Sequence, residues 1–293
     1  VARGRDYYGS YRLVRLIRQG HTCDVYEAVK EDDGKRYALK ILKPEDRNNK
    51  EEIATLKHEY EIAHEFRHPN IIRIYEFNSE LDIPYLVMEL FNATNLKILL
   101  RQGSERLFPI VKDVVDQAGE ALYYFHERGY IHRDIKPDNF LVSETGTLKL
   151  IDFAISIKQP TGMAKLMPGW FTKVQGTRSY MSPEQIRNQA LDPRADIYSF
   201  GCVLYELVTG RAPFTGDSAD DLLHRHLTAP PPSAQVLSPN VSTEFAELIR
   251  RMMSKRAADR PQNMWEFLKI FRSIRLFKVL PKSKVIESSD KKR

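Results

Sequence analysis

The densest run of chemically useful side chains is His132-Arg133-Asp134-Ile135-Lys136-Pro137-Asp138-Asn139, followed thirteen residues after the Asn by Asp152-Phe153-Ala154. Spaced in this way they suit phosphoryl transfer. That reaction needs a carboxylate to orient an attacking hydroxyl and accept its proton, oxygen ligands for a hard divalent cation, and a cation near the transferring group. Asp134 fits the base, Asn139 and Asp152 the metal ligands, and Lys136 the cation. Any one Asp or Asn is most simply a turn residue, but a string at several fixed offsets is not accounted for in that way.

A second pair lies upstream. In Tyr37-Ala38-Leu39-Lys40, strand alternation sends Ala38 and Lys40 to one face and Tyr37, Leu39 and Ile41 to the other. Exposed strand lysines are common, so Lys40 alone says little. Glu59 changes the reading, because it is three residues from Leu56 and Ile62, four from Ala63 and seven from Phe66, which puts a carboxylate on a buried helical stripe. A buried charge needs a partner, and Lys40 held by Glu59 would present a fixed positive charge to a polyphosphate.

The elements that must position these groups fall into two parts. From Tyr11 to Phe91 the pattern predicts strands around one helix: short alternating runs at Tyr11–Arg18, Val25–Val29 and Arg36–Leu42, a turn at Asp32-Asp33-Gly34, and a helix striped by Ile53, Leu56, Tyr60, Ala63 and Phe66. His68-Pro69-Asn70 stops that helix before strands at Ile71–Phe77 and Tyr85–Glu89. Beyond Phe91 the chain reads as mainly helical, with a long helix striped by Val111, Val114, Val115, Ala118, Leu122 and Phe125 that ends near Gly129. Another opens at Asp196 and is closed by Gly210 and Pro213. The expected division is an extension at 1–10, a five-stranded antiparallel lobe with one main helix at 11–91, a mainly helical lobe at 92–277, and a basic tail or linker at 278–293.

Composition narrows the class. Apolar residues make up 42% and charged residues 29%, ordinary for a globular protein and contrary to wholesale disorder. The longest apolar run, Tyr198–Val208, is interrupted by Gly201 and Glu206 and is too short for a bilayer crossing. Two distant cysteines, Cys23 and Cys202, suit a reducing compartment, so a cytoplasmic protein or the cytoplasmic portion of a membrane protein is expected. The chain starts at Val1 with no signal-peptide pattern, which suggests a piece of a longer product and leaves open an anchor outside it. Residues 281–293 hold five Lys or Arg against two acids. They read as a solvated linker first and as an attractor of anionic surfaces second. The eight histidines show no metal-ligand spacing, and basic residues do not interleave with aromatics along a stripe, so neither a zinc site nor nucleic-acid binding is expected.

With these strings in view, the chain resembles the eukaryotic-like Ser/Thr protein kinases, most of all their bacterial receptor-type branch, over residues 11–275. Gly176 to Glu184, Asp196-Ile197-Tyr198-Ser199-Phe200-Gly201 and Asp259-Arg260-Pro261 add to the likeness, and Pro213 to Ser218 favours the bacterial branch. The resemblance implies an α+β, bilobal kinase fold with ATP in the cleft and Mg²⁺ or Mn²⁺ beside it. It also implies nucleotide contacts from Ile17, Gly20, Val25, Ala38, Lys40, Met88 as gatekeeper, Glu89 and Phe91. Glu184 should pair with Arg260, and Asp196 should hold the catalytic loop from below. Lys136 and Thr177 stand where Ser/Thr-directed members have them, so the implied partners are proteins with Ser or Thr acceptors. Dimerisation for autophosphorylation is left open.

Two departures bear on that expectation. Arg18-Gln19-Gly20-His21-Thr22-Cys23-Asp24-Val25 keeps only the middle glycine of the phosphate-covering loop, from which weaker nucleotide affinity is expected. Ala154 replaces the glycine after Asp152-Phe153, which should narrow the conformations at that hinge. Together they are the case for the alternative, a pseudokinase or nucleotide-binding scaffold; a small-molecule phosphotransferase comes third. Regulation is expected through Arg133, a cation before the catalytic Asp that calls for an anion. Thr172 is the expected phosphate acceptor, in a segment with Pro160, Gly162, Pro168 and Gly169, while the Thr177 hydroxyl is expected to be structural.

Overall fold

The computed structural model describes residues 7–159 and 176–280. Its first part is a six-stranded antiparallel sheet: β1 (Tyr7–Tyr8), β2 (Tyr11–Gln19), β3 (Cys23–Lys30), β4 (Arg36–Leu42), β5 (Ile74–Asn78) and β6 (Tyr85–Glu89), in the order β1-β2-β3-β4-β6-β5. Helix α1 (Lys50–Ala63) lies between β4 and β5 in sequence, capped by the Asn49 side chain on the Glu51 N–H. The five expected strands are present, and Tyr7-Tyr8 adds an edge strand. Gly9, with φ 59°, makes the tight return to Tyr11, and the Tyr8 ring packs edge-on to Tyr85 at 6.1 Å. Tyr11, Leu39, Ile41, Tyr85 and Val87 form a small core on the outer face, so Lys40 on the alternate side is turned to the cleft.

The strand expected from Ile71 starts only at Ile74. Residues 70–72 instead bond to the strand Leu148–Leu150: Leu150 N–H donates to Asn70 O at 2.8 Å and Ile72 N–H to Leu150 O at 3.0 Å. That detour fastens the sheet-bearing part to the second part, and pairing across such a sequence distance leaves no local pattern.

The second part comprises β7 (Thr94–Asn95), α2 (Leu96–Arg101), α3 (Val111–Glu127), β8 (Tyr130–Ile131), β9 (Phe140–Val142), β10 (Leu148–Leu150), β11 (Ile157–Lys158), α4 (Pro183–Ile186), α5 (Arg194–Thr209), α6 (Ala219–Thr228), α7 (Ala234–Leu237), α8 (Thr243–Met252) and α9 (Met264–Ser273). At its centre is α5, buried at every position from Ala195 to Val208, as a helix apolar on all sides must be. It begins two residues before the expected Asp196 and ends at Gly210, whose φ of 73° supplies the left-handed cap. At Gly201 a Cβ would come within 2.8 Å of the Met252 Cβ, so glycine sets how closely α5 and α8 approach. Among the described residues no helix is long and apolar enough to cross a membrane.

Asp196, in the first turn of α5, is the point where this core meets the chemistry. Its carboxylate accepts the His132 N–H at 2.8 Å, the Arg133 N–H at 2.9 Å and His126 Nε2 at 2.9 Å, with only 1% of the residue exposed. Burial opposes ionisation, but the His126 bond and the backbone donors outweigh it and hold the carboxyl below its ordinary value. A depressed value means that the stabilisation is complete above the unfolded carboxyl value of about 4 and is lost as pH falls below it. Asp196→Asn keeps one acceptor oxygen and turns an amide toward donors, so it should lower unfolding stability by about 2–4 kcal/mol in urea titrations at neutral pH. Between about pH 5 and pH 3 the parent should lose stability more steeply than the variant, and parallel pH curves would rule out this role.

Candidate active site

The segment between β8 and β9 carries the densest motif, and its shape follows from the hold of Asp196. Arg133 adopts φ 70°, a conformation that costs a non-glycine residue about 1–3 kcal/mol. Its N–H is held by Asp196, its carbonyl accepts the Gln185 amide at 2.8 Å, and its guanidinium donates to Ile155 O at 3.2 Å. His132 is buried and burial lowers its pKa, so the ring is neutral. Its Nε2 faces the Ile151 carbonyl at 3.3 Å and must donate there, which leaves Nδ1 to accept the Asp134 N–H at 3.4 Å.

Asp134 projects from this frame with both carboxylate oxygens engaged. Oδ2 accepts from Lys136 Nζ at 2.6 Å and from Asn139 Nδ2 at 3.3 Å; Oδ1 accepts the Thr177 N–H at 3.0 Å and its hydroxyl at 2.9 Å. Lys136 Nζ also donates to Thr177 Oγ1 at 2.9 Å. Asp134, Lys136, Asp152, Gly176 and Thr177 line an open recess of about 280 Å³. Asn139 is fully buried. Its Nδ2 donates to Asp134 O at 2.8 Å, while its Oδ1 has no hydrogen-bond donor among the described residues. A buried acceptor left open in this way suits a cation ligand.

Across the recess, Lys40 Nζ lies 2.6 Å from Glu59 Oε2 and 3.4 Å from Asp152 Oδ1. Burial works against its charge, but Asp152 and Glu59 overcome that and raise its pKa. The Lys40 ammonium, ahead of the opposing effect of burial, brings the Asp152 carboxyl down to about 2. Glu59 is 2% exposed, and burial raises its carboxyl while Lys40 and the Phe153 N–H, at 3.4 Å from Oε1, counter it. Asp152 takes φ 69°, whereas Ala154 is not among the residues of positive φ. The positive φ in this segment is thus at Asp152, a residue type that tolerates it, and Ala154 needs no glycine-like freedom. Phe153 is fully buried, stacked on Phe125 at 5.5 Å, which turns Asp152 toward Lys40.

The residues expected to face a nucleotide share one side of the sheet, because Val25 pairs with Lys40 in register and Ala38 with Met88. Ile17 is 43% exposed at the rim and Ala38 is buried at 6%. Gly20 is required by closeness: a Cβ there would fall 2.1 Å from the Cys23 carbonyl oxygen. Its N–H donates to Asp24 Oδ1 at 3.1 Å. Glu89 and Phe91 lead out of β6, and the Glu89 side chain pairs with Lys149 at 3.1 Å.

Farther from the recess, Arg260 donates to both Glu184 oxygens, at 2.6 and 2.9 Å, with its own side chain wholly buried. Thr172 lies outside the described residues, as do residues 281–293, so neither the modification site nor the basic tail is placed. Several positioning groups have no sequence signature: His126 on Asp196, Lys149 between Glu89 and the Pro69 carbonyl at 2.8 Å, and Lys97 on Glu206 at 2.6 Å. Each joins residues far apart in the chain, where no periodicity operates.

A family model described as the protein kinase domain matches residues 11–269. The chain is 36% identical over 257 residues to the serine/threonine-protein kinase PknA of Mycobacterium tuberculosis, covering 86% of this chain and 58% of that protein. It is 34% identical over 270 residues to the probable serine/threonine-protein kinase PknB of Bifidobacterium longum, covering 88% and 39%, and 33% identical over 252 residues to PrkC of Bacillus subtilis, covering 86% and 38%. It therefore spans between 38% and 58% of the length of these relatives. The recess lined by Asp134 and Asp152 and the nearby Lys40–Glu59 pair lie inside the matched span, and the chain belongs to the protein kinase family, homologous to bacterial Ser/Thr kinases.

Proposed function

We propose that this chain transfers the γ-phosphoryl group of ATP to Ser or Thr hydroxyls of proteins. The observation that carries the proposal is the Asp134 carboxylate, bonded by Lys136 and Thr177 and facing the same recess as Asp152. An acceptor hydroxyl entering there would exchange the Thr177 contact for its own bond to Asp134, which orients the oxygen and takes up its proton as the new P–O bond forms and the bond from the γ-phosphorus to the bridging oxygen breaks, releasing ADP. Lys136 stays beside Asp134 and offsets negative charge on the moving phosphoryl group. Lys40, fixed by Glu59, is placed for the non-transferring phosphates. The Glu89 N–H already donates to Arg73 O at 2.8 Å, so contact of Glu89 with adenine runs through its carbonyl.

Asn139 Oδ1 and the strongly acidic Asp152 carboxylate are the residues that would hold Mg²⁺, or Mn²⁺ in its place. The metal, when bound, supplies neutralisation of phosphate charge. Acceptors on folded proteins fit the retained Gly176–Glu184 segment better than a small-molecule substrate does. Two free cysteines, Cys23 and Cys202, favour a cytoplasmic setting. One observation favours a second reading, a nucleotide-binding scaffold: the Asp24 carboxylate occupies the Gly20 N–H that would otherwise be open to a phosphate. Incubation with Mg²⁺ and labelled ATP separates the two, since the kinase labels itself or an added protein, whereas a scaffold binds nucleotide and labels nothing.

Asp134→Asn should still bind ATP yet transfer phosphate roughly 10²-fold or more slowly, measured under saturating ATP. Near-normal turnover in that variant would remove Asp134 from the base role. Chelation of divalent cations should stop transfer in the parent and excess Mg²⁺ restore it. For regulation, mass spectrometry after autophosphorylation should find phosphate on Thr172, and Thr172→Ala should phosphorylate a peptide more slowly. Absence of phosphate between residues 155 and 180 would end that idea.

A further inference from the structure

The Lys40–Glu59 pair forms only if α1 presents Glu59 to the cleft, and one bond holds that face in place at a residue given no role above. His58, immediately before Glu59 and half-buried, sets its Nε2 2.7 Å from the carbonyl oxygen of Ser156. A carbonyl can only accept, so Nε2 is the donor in either the neutral or the charged ring. Ser156 is itself immobilised. It is wholly buried, its N–H donates to Phe153 O at 3.1 Å, and its hydroxyl donates to the His132 carbonyl at 3.3 Å. His58 therefore ties α1 to a residue already fastened to the segment that carries Asp134.

Two adjacent residues of one helix then grip the two ends of one turn, residues 153–156, closed by the Ser156 N–H on Phe153 O. Glu59 Oε1 accepts the Phe153 N–H and His58 donates to Ser156 O. Successive helical residues point about 100° apart, so the pair resists rotation of α1 about its axis in a way that either bond alone does not. The first bond is long, at 3.4 Å, and belongs to a group whose charge is also claimed by Lys40; the second is short, at 2.7 Å, and is not shared with another partner of Nε2 among the described residues. We infer that His58 is a positioning residue for phosphoryl transfer: through the Ser156 carbonyl it sets the roll of α1, and so holds Glu59 on Lys40 and Lys40 beside Asp152. The inference rests on the kinase reading above.

The test compares the parent, His58→Ala and His58→Gln, each alone and combined with Glu59→Gln, in steady-state kinetics with peptide and varied ATP, beside thermal unfolding of every variant. A glutamine amide can replace the Nε2–H donor. Loss of the bond strands a buried carbonyl, so His58→Ala should lower kcat about tenfold with the KM for ATP changed by less than about threefold, and His58→Gln should recover most of it. In the Glu59→Gln background, where the ion pair is already gone, removing His58 should cost less than about twofold further. A His58→Ala variant that turns over like an active parent overturns the inference, as does an undiminished tenfold loss on top of Glu59→Gln. A lower melting temperature with kcat of the folded protein unchanged likewise reduces His58 to a structural residue. A parent that transfers no phosphate at all would instead overturn the kinase reading, and this inference with it.

Discussion

The buried carboxylate of Asp196 is the constraint on which the rest of the site depends. A charge with 1% exposure is tolerable only when its acceptor capacity is filled, and here the donors are two successive backbone N–H groups and an imidazole. Because those two N–H groups belong to His132 and Arg133, satisfying the carboxylate forces the backbone of the next residue into one path. The positive φ of Arg133 is the cost of that path, and the outward projection of Asp134 is its result. The fully buried α5 supplies the rigid support, since a helix packed on all sides cannot shift to relieve the strain.

Charges of opposite sign alternate in the cleft. Lys40 lies between two carboxylates, and Asp134 is matched by Lys136 at 2.6 Å. Two negative groups therefore face the space where a polyphosphate would sit, which on electrostatic grounds is unfavourable without divalent cations. On the proposed reading, Asn139 Oδ1, which has no hydrogen-bond donor among the described residues, and the Asp152 carboxyl, lowered by Lys40, would meet such a cation. The same alternation explains why the Asp152 backbone can remain strained: the Lys40 ammonium and the packing of Phe153 between Phe66 and Phe125 fix the residue on both sides.

The two parts of the chain are joined at more than the covalent connection. Leu150 exchanges backbone bonds with Asn70 and Ile72, the Asn70 side chain donates to Leu148 O at 2.9 Å, and Lys149 spans Glu89 and Pro69. All of these lie on β10, two residues before Asp152. The sheet, the connection out of β6 and the Asp152 carboxylate are thus referenced to one short strand, while α1 reaches the segment that follows it by Glu59 and His58.

By itself the sequence marked the candidate chemical groups and the order of elements. Asp134, Asn139 and Asp152 stand at offsets that few other arrangements explain, Lys40 and Glu59 follow from period-two and period-3.6 patterns, and the strands and long helices are written in local alternation. Glu184 and Arg260 could be paired only through a family resemblance, because no pattern within the chain connects them. The tertiary structure alone decided how the edges close: that Tyr7-Tyr8 extends the sheet, that residues 70–72 leave it for β10, that Gly20 is needed for closeness to Cys23, and that His58 meets Ser156. The division has a physical cause. Periodicity reports which face of an element avoids water, a one-body property of each segment, whereas hydrogen bonds across tens of residues depend on where two segments come to rest, which only the packed chain specifies.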